Sequence, residues 1–144
     1  EDSTTEVCRI DAKKSKLTDV YFIKLSLKIG DELLADNFYW EGLEEGNWTA
    51  LQNIAKPELQ TKVEIIEDGL LKVSLKNPSN IPAVMIRLNL INSRTKEQIL
   101  PAFYEDNYFS LLGGEERTVE IKYLHSEQPQ DGKFGPTVTI EQIR

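Results

Sequence analysis

The sequence predicts an all-β fold, an antiparallel β-sandwich with one short helix. Three observations carry that expectation. Apolar and polar residues alternate with a period of two in segment after segment, the pattern of strands with one dry and one wet face. Turn signals separate those segments at intervals of about 8–12 residues, the rhythm of a sandwich. No strand–helix–strand alternation occurs, so a parallel α/β sheet is not expected.

The elements follow in chain order. Val7-Cys8-Arg9-Ile10 alternates and predicts a strand. From Val20 to Ile29, Tyr21, Ile23, Leu25, Leu27 and Ile29 share one face, while Ser26 and Lys28 point the other way. Gly30-Asp31 signals a turn, and Leu33 to Trp40 reads as the returning strand of a hairpin. Trp48, Leu51, Ile54 and Ala55 recur at helical spacing over barely two turns, and Pro57 ends that helix. Thr61 to Glu67 sets Val63 and Ile65 on one face. After the Asp68-Gly69 turn, Leu71, Val73 and Leu75 alternate with Lys72, Ser74 and Lys76. Asn77 to Pro82 is a loop by composition. Val84, Ile86, Leu88 and Leu90 form the next apolar face, followed by Val119, Ile121 and Tyr123, and finally by Val138 and Ile140 within a strand over Thr137 to Ile143.

Composition narrows the functional classes. The chain has 144 residues, 40% hydrophobic and 28% charged, which suits one folded domain with a sizeable core. A net charge of -7 argues against nucleic acid, because a phosphate-binding face needs a concentrated basic stripe. Lys13-Lys14-Ser15-Lys16 is read as a solvated loop. No apolar run approaches the roughly 20 residues of a membrane span, and no signal peptide is visible in the polar, acidic Glu1 to Glu6. Cys8 is the only cysteine, so an intrachain disulfide is impossible, and the paired cysteines of antibody-type sandwiches are missing. Cys8 is read as a structural thiol, since nothing near it in sequence would activate it.

Chemistry-bearing motifs are sparse. His125 is the one histidine, at the end of a strand, and reads as a surface residue; one Cys and one His cannot build a zinc site without borrowed carboxylates. No phosphate-binding or dinucleotide glycine loop occurs. Glu105-Asp106-Asn107 and Asp131-Gly132 are oxygen-rich, but lack calcium-loop spacing. The 24 acidic residues fall in turns and on wet faces, so no catalytic pair, cofactor or metal site is expected. The aromatic residues pose the main question. Tyr39, Trp40, Trp48, Phe103, Tyr104, Tyr108 and Phe109 could stack on sugar rings or fill a core. Core is expected for Trp40, on the same face as Phe38, and for Trp48 at the head of the helix. On that basis Trp40→Ala would cost roughly 3–5 kcal/mol.

Two stretches exceed what generic hairpins need: Asp36-Asn37-Phe38-Tyr39-Trp40, and Ile99 to Glu116, Ile-Leu-Pro-Ala-Phe-Tyr-Glu-Asp-Asn-Tyr-Phe-Ser-Leu-Leu-Gly-Gly-Glu-Glu. With Tyr21 to Leu25, Leu75 to Ser79 and Ile86 to Leu88, they resemble, in order, the C-terminal immunoglobulin-like domain of glycoside hydrolase family 2 enzymes of the β-mannosidase and exo-β-glucosaminidase type. The sequence departs from that family at Gly113-Gly114, where Pro-Gly is usual; the turn is expected to survive with a less rigid first residue. The resemblance implies an immunoglobulin-like sandwich that follows a catalytic barrel and another sandwich, with the catalytic acids in the barrel and none in this chain. Residues 1–12 are then a remnant of the preceding domain or a linker, and residues 13–144 the sandwich. It also implies an accessory domain supporting the barrel, with the parent's other domains as partners; the net charge of -7 suits a monomer when isolated, and localisation is left open, with an exported parent expected. Alternatives are a carbohydrate-binding module and an interaction domain of a cell-surface protein. Tyr39, Trp40, Trp48, Glu105, Asp106 and Tyr108 are the candidates for domain docking or sugar contact.

Overall fold

The computed structural model describes residues 4–11, 14–124 and 135–142. The expectations for His125 and Asp131-Gly132 lie outside them. The chain divides into two compact units, Glu1–Ile54 and Ala55–Arg144.

The first unit is built on one antiparallel hairpin, β1 (Val20–Ile29) and β2 (Glu32–Gly42), with the turn at Gly30-Asp31 as expected. Gly30 has φ +59°, the left-handed region that a tight hairpin turn requires. Phe22 faces Trp40 and Lys24 faces Phe38, while Ile23 faces Tyr39 and Leu25 faces Asn37 on the other side. Leu43 N–H donates to the Asp19 carbonyl at 2.9 Å and closes the open end.

One expectation in this unit fails, and another holds in part: a short helix forms where the spacing predicts it, but as 3₁₀ and without a buried face. The segment from Trp48 forms a five-residue 3₁₀ helix, Thr49–Asn53, and none of its residues is buried. Two turns cannot repay helix nucleation without a packed face, and Trp48 supplies no side-chain cap. The alternation at Val7 to Ile10 makes no strand, and Cys8 is exposed. Period-two alternation needs a partner strand to become a ladder.

The second unit is two sheets packed face to face. Strands β3 (Gln60–Glu67), β4 (Leu70–Lys76), β8 (Glu116–Tyr123) and β6 (Ala102–Tyr104) form an antiparallel sheet in the order β3-β4-β8-β6. Strands β7 (Phe109–Leu111), β5 (Ala83–Asn92) and β9 (Pro136–Gln142) form the other, in the order β7-β5-β9. Leu71, Val73, Leu75, Val119, Ile121 and Tyr123 from the first meet Ala83, Ile86, Leu88, Leu90, Phe109 and Leu111 from the second in one buried core. Val63, Val138 and Ile140 pack against it from partly exposed positions. Tyr123 titrates above the usual tyrosine range, chiefly because burial disfavours the phenolate, with Asp68 adding repulsion against a backbone hydrogen bond at Gly69.

The β3–β4 turn is closed by Gly69, with φ +81° and a carbonyl that accepts from Tyr123 N–H at 2.9 Å. A Cβ there would lie 2.9 Å from the Tyr123 carbonyl oxygen, so the position excludes a side chain on two counts. Ile65 shares the Val63 face but sits exposed near the hairpin tip of this edge strand. The apolar face of β5 is also not as expected. Ala83, and not Val84, takes the first inward position, because the register shifts between Ala83 and Ile86. Met85 absorbs the extra residue at φ +50°, and its N–H donates to Ser110 Oγ at 3.2 Å.

The 77–82 loop hides a feature that composition does not reveal. Asn77 is fully buried. Its Nδ2 donates to the carbonyls of Ile81, Leu111 and Leu112, and its Oδ1 accepts from Ser79 N–H and Ser79 Oγ. Its backbone bonds Glu115 and Gly114. The side chain thus ties the β4–β5 loop to the β7–β8 turn. At Gly113 a Cβ would come within 2.6 Å of the Ser79 carbonyl oxygen and 2.8 Å of Asn80 Cα. Gly113 is therefore matched to a closely apposed loop, a constraint beyond the lost rigidity expected from the sequence.

Candidate functional site

The six candidate residues fall on the two units: Tyr39, Trp40 and Trp48 on the first, Glu105, Asp106 and Tyr108 on the second.

On the hairpin, Phe22 stacks on Phe38 with ring centroids 5.3 Å apart and meets Trp40 edge-on at 6.3 Å. Beside them Lys24 Nζ and Asp36 Oδ2 pair at 3.2 Å with little exposure. Tyr39 projects from the opposite face of β2, because neighbouring strand residues alternate. It is exposed, as is Trp48. Tyr39 and Trp40 therefore cannot share one stacking platform. The placement corrects two expectations: Trp48 is not core, and Trp40 is half-buried within an aromatic cluster. Trp40→Ala should accordingly cost about 1–2 kcal/mol, the scale of losing an aromatic pair and partial burial. Amide exchange along β1 and β2 reads this as roughly a 5- to 30-fold acceleration. A cost above about 3 kcal/mol would mean that the indole is a full core residue after all.

On the second unit, the segment from β6 to β7 crosses from one sheet to the other. β6 pairs with β8, and β7 with β5. The connecting turn is fastened on both sides. Glu105 N–H donates to the Glu120 carbonyl at 2.9 Å, and Glu120 N–H donates to Glu105 Oε2 at 3.1 Å. Asp106 pairs with Arg117, whose guanidinium lies 5.1 Å from the Phe109 ring centroid. Asn107 Oδ1 accepts from Leu88 N–H at 2.8 Å and its Nδ2 donates to the Leu88 carbonyl at 3.1 Å, as a paired strand residue would. Leu90 N–H donates to the Tyr104 hydroxyl at 2.9 Å. Asn107 and Tyr104 thus finish the β5 edge where β7 ends, a role that reading the turn as merely polar misses.

Tyr108 stands on this scaffold with φ +59° and half of its surface exposed. A left-handed bulky residue carries a conformational cost of about 1–3 kcal/mol. Its N–H donates to Asn107 Oδ1 at 3.0 Å, which helps hold it there. Next to the turn an open concavity of about 350 Å³ is lined by Phe103, Tyr104, Glu105, Glu120 and Lys122. Another, of about 330 Å³, lies over β3, β4 and β8 beside Ser74, Lys76, Glu116 and Thr118. Of the carboxylates bordering them, Glu120 lies 3.3 Å from Lys72 and the exposed Glu116 3.9 Å from Lys76, both surface pairs. Among the described residues, no group of three or more His, Cys, Asp or Glu is arranged to hold a metal ion.

Two antiparallel sheets sharing one core, with a segment that switches between them, define an immunoglobulin-like β-sandwich domain. The chain belongs to the Ig-fold domain family of exo-β-D-glucosaminidases, whose family model matches residues 37–141. It is 32% identical over 127 residues to an exo-β-D-glucosaminidase of Arthroderma benhamiae, covering 75% of this chain and 14% of that protein. It is 28% identical over 140 residues to an exo-β-D-glucosaminidase of Hypocrea jecorina, covering 78% of this chain and 15% of that protein. In fold it is similar to the exo-chitosanase CsxA of Amycolatopsis orientalis, with a TM-score of 0.68 and 24% identity over 87% of this chain and 17% of that one. The chain therefore spans about a seventh of the length of the curated relatives it matches.

Proposed function

We propose that the chain is a non-catalytic accessory domain of an exo-β-D-glucosaminidase of glycoside hydrolase family 2, supporting a catalytic barrel elsewhere in the parent. One observation carries the reading beyond family membership. Two of the carboxylates beside the second unit's open surfaces serve its fold, Glu105 on the β8 backbone and Asp106 on Arg117, while Glu120 and Glu116 lie in exposed surface pairs with Lys72 and Lys76 and not opposite each other across a cleft. Glycoside hydrolysis instead needs two carboxyl groups facing one bond across a cleft. The sequence resemblance to β-mannosidase-type domains leaves a β-mannosidase parent as the variant of the same reading. The other domains of the parent are the partners, and the rigid turn bearing Tyr108 is the contact best prepared for them.

The purified chain should not hydrolyse aryl β-glucosaminides or aryl β-mannosides. Turnover that a point substitution within this chain abolishes would overturn the proposal. Exposed Tyr39 and Trp48 favour one competitor, a carbohydrate-binding module. Retention of the isolated chain on chitosan, lost on replacing either residue by alanine, would favour that competitor.

A further inference from the structure

Of the eight asparagines in the chain, two begin the pattern Asn-x-Ser/Thr: Asn47-Trp48-Thr49 and Asn77-Pro78-Ser79. That pattern is the acceptor signature for an N-linked glycan, provided the middle residue is not proline. The fold separates the two independently of that proviso. Asn77 is fully buried, and its two amide hydrogens are shared among the carbonyls of Ile81, Leu111 and Leu112. Asn47, Trp48 and Thr49 are all exposed, in the connection that leads from β2 into the 3₁₀ segment.

The surroundings of Asn47 leave room for a bulky addition. Its backbone N–H donates to the Glu44 carbonyl at 3.2 Å, so it is the last residue of a four-residue turn. Gly46 holds the third position of that turn at φ +76°, and a Cβ built there would meet nothing within 4 Å. Asn47 Oδ1 accepts from Thr49 N–H at 3.3 Å, an Asx turn that sets the threonine beside the asparagine side chain. Its Nδ2 donates to Glu44 Oε2 at 3.3 Å, an exposed bond that water or an enzyme can replace. The 3₁₀ segment that follows buries none of its residues, so little packing resists a local rearrangement.

We infer that Asn47 is the N-glycosylation acceptor of this chain, occupied on any route through a compartment that holds an oligosaccharyltransferase. The donor is an oligosaccharide linked through pyrophosphate to a lipid. Asn47 Nδ2 forms a bond to C1 of the first sugar, and the bond from C1 to the pyrophosphate oxygen breaks. The lipid pyrophosphate leaves with that electron pair, the amide proton passes to a base of the transferase, and nothing is oxidised or reduced. The Thr49 hydroxyl is the handle by which the transferase recognises the site. Such a route agrees with the exported parent expected from the sequence, and the inference does not depend on what that parent hydrolyses.

The test expresses the 144-residue chain behind a secretion signal in a yeast. The secreted protein should run as a heavier species that peptide:N-glycosidase F returns to the mass of the bare chain. Peptide mass spectrometry should find the acid that this enzyme leaves at position 47, and none at position 77. Asn47→Gln and Thr49→Ala should each abolish the heavier species, while Thr49→Ser, which keeps the hydroxyl, should retain it. All three changes lie on exposed residues outside the core. Where the secreted chain does not accumulate, translation into microsomes of the endoplasmic reticulum gives the same mass readout. A chain that emerges unmodified would overturn the inference. So would a glycan that survives Asn47→Gln.

Discussion

Asn77→Ala should lower the unfolding free energy of the sandwich by about 3 kcal/mol or more, although it changes one loop residue. In a fully buried site the side chain meets five hydrogen-bond partners, its two N–H donors shared among three carbonyls and its oxygen accepting twice. Each is worth about 1 kcal/mol net, and buried partners left without one cost about 1–3 kcal/mol. The carbonyls of Leu111 and Leu112 lose a donor, and Ser79 loses its acceptor. Asn77→Asp keeps the shape but replaces the donating amide with an oxygen facing three carbonyls, so it should be worse than alanine. Chemical denaturation followed by far-ultraviolet circular dichroism measures both. A loss below about 1 kcal/mol for alanine would mean that water replaces the amide and that the loop is not pinned by it.

The second large effect lies in the core. Leu71→Ala should cost about 4 kcal/mol, within the 2–5 kcal/mol range for truncating a buried leucine. Leu71 is fully buried on β4, an interior strand, and directly opposes Ile121 on β8. A cavity there is walled by backbone on both sides and by the facing sheet, so collapse is restricted. Leu71→Met keeps the volume and should cost less than about 1.5 kcal/mol. A similar penalty for both would point to shape, not volume, as the limit.

How much of this was legible in the sequence depends on how far apart the interacting groups lie. Strands β4 and β8 are strict alternations, and Leu71, Val73, Leu75, Val119, Ile121 and Tyr123 all face inward as read. Asp68-Gly69 and Gly30-Asp31 are local turn chemistry, and both hairpins follow. Alternation misplaces the first inward position on β5 because a bulge at Met85 shifts the register, and methionine does not advertise a left-handed conformation. A short helix does form at 49–53, but its stripe stays unburied, because periodicity records spacing and not whether a surface exists to bury it. Asn77, Tyr104 and Asn107 were unreadable as to role, since their side chains bond backbone 14 to 35 residues away. The same holds for the candidate site. The sequence singled out the 105–108 turn, but only the fold reveals that Glu105, Asp106 and Asn107 brace it while Tyr108 is displayed.

The placement of the indoles has a practical consequence. Both tryptophans, Trp40 and Trp48, belong to the unit Glu1–Ile54, whereas the buried sandwich core contains none. Intrinsic emission excited at the red edge of protein absorbance, where only indole contributes, is thus a reporter of the hairpin unit. The sandwich is silent at that wavelength, and its aromatic signal comes from phenol rings such as Tyr104 and Tyr123. If the hairpin frays while the sandwich stays intact, an indole-monitored titration will display an early transition that circular dichroism does not share. Such non-coincidence would be the optical mark of two cooperative units in one chain, and not of an intermediate in the folding of one.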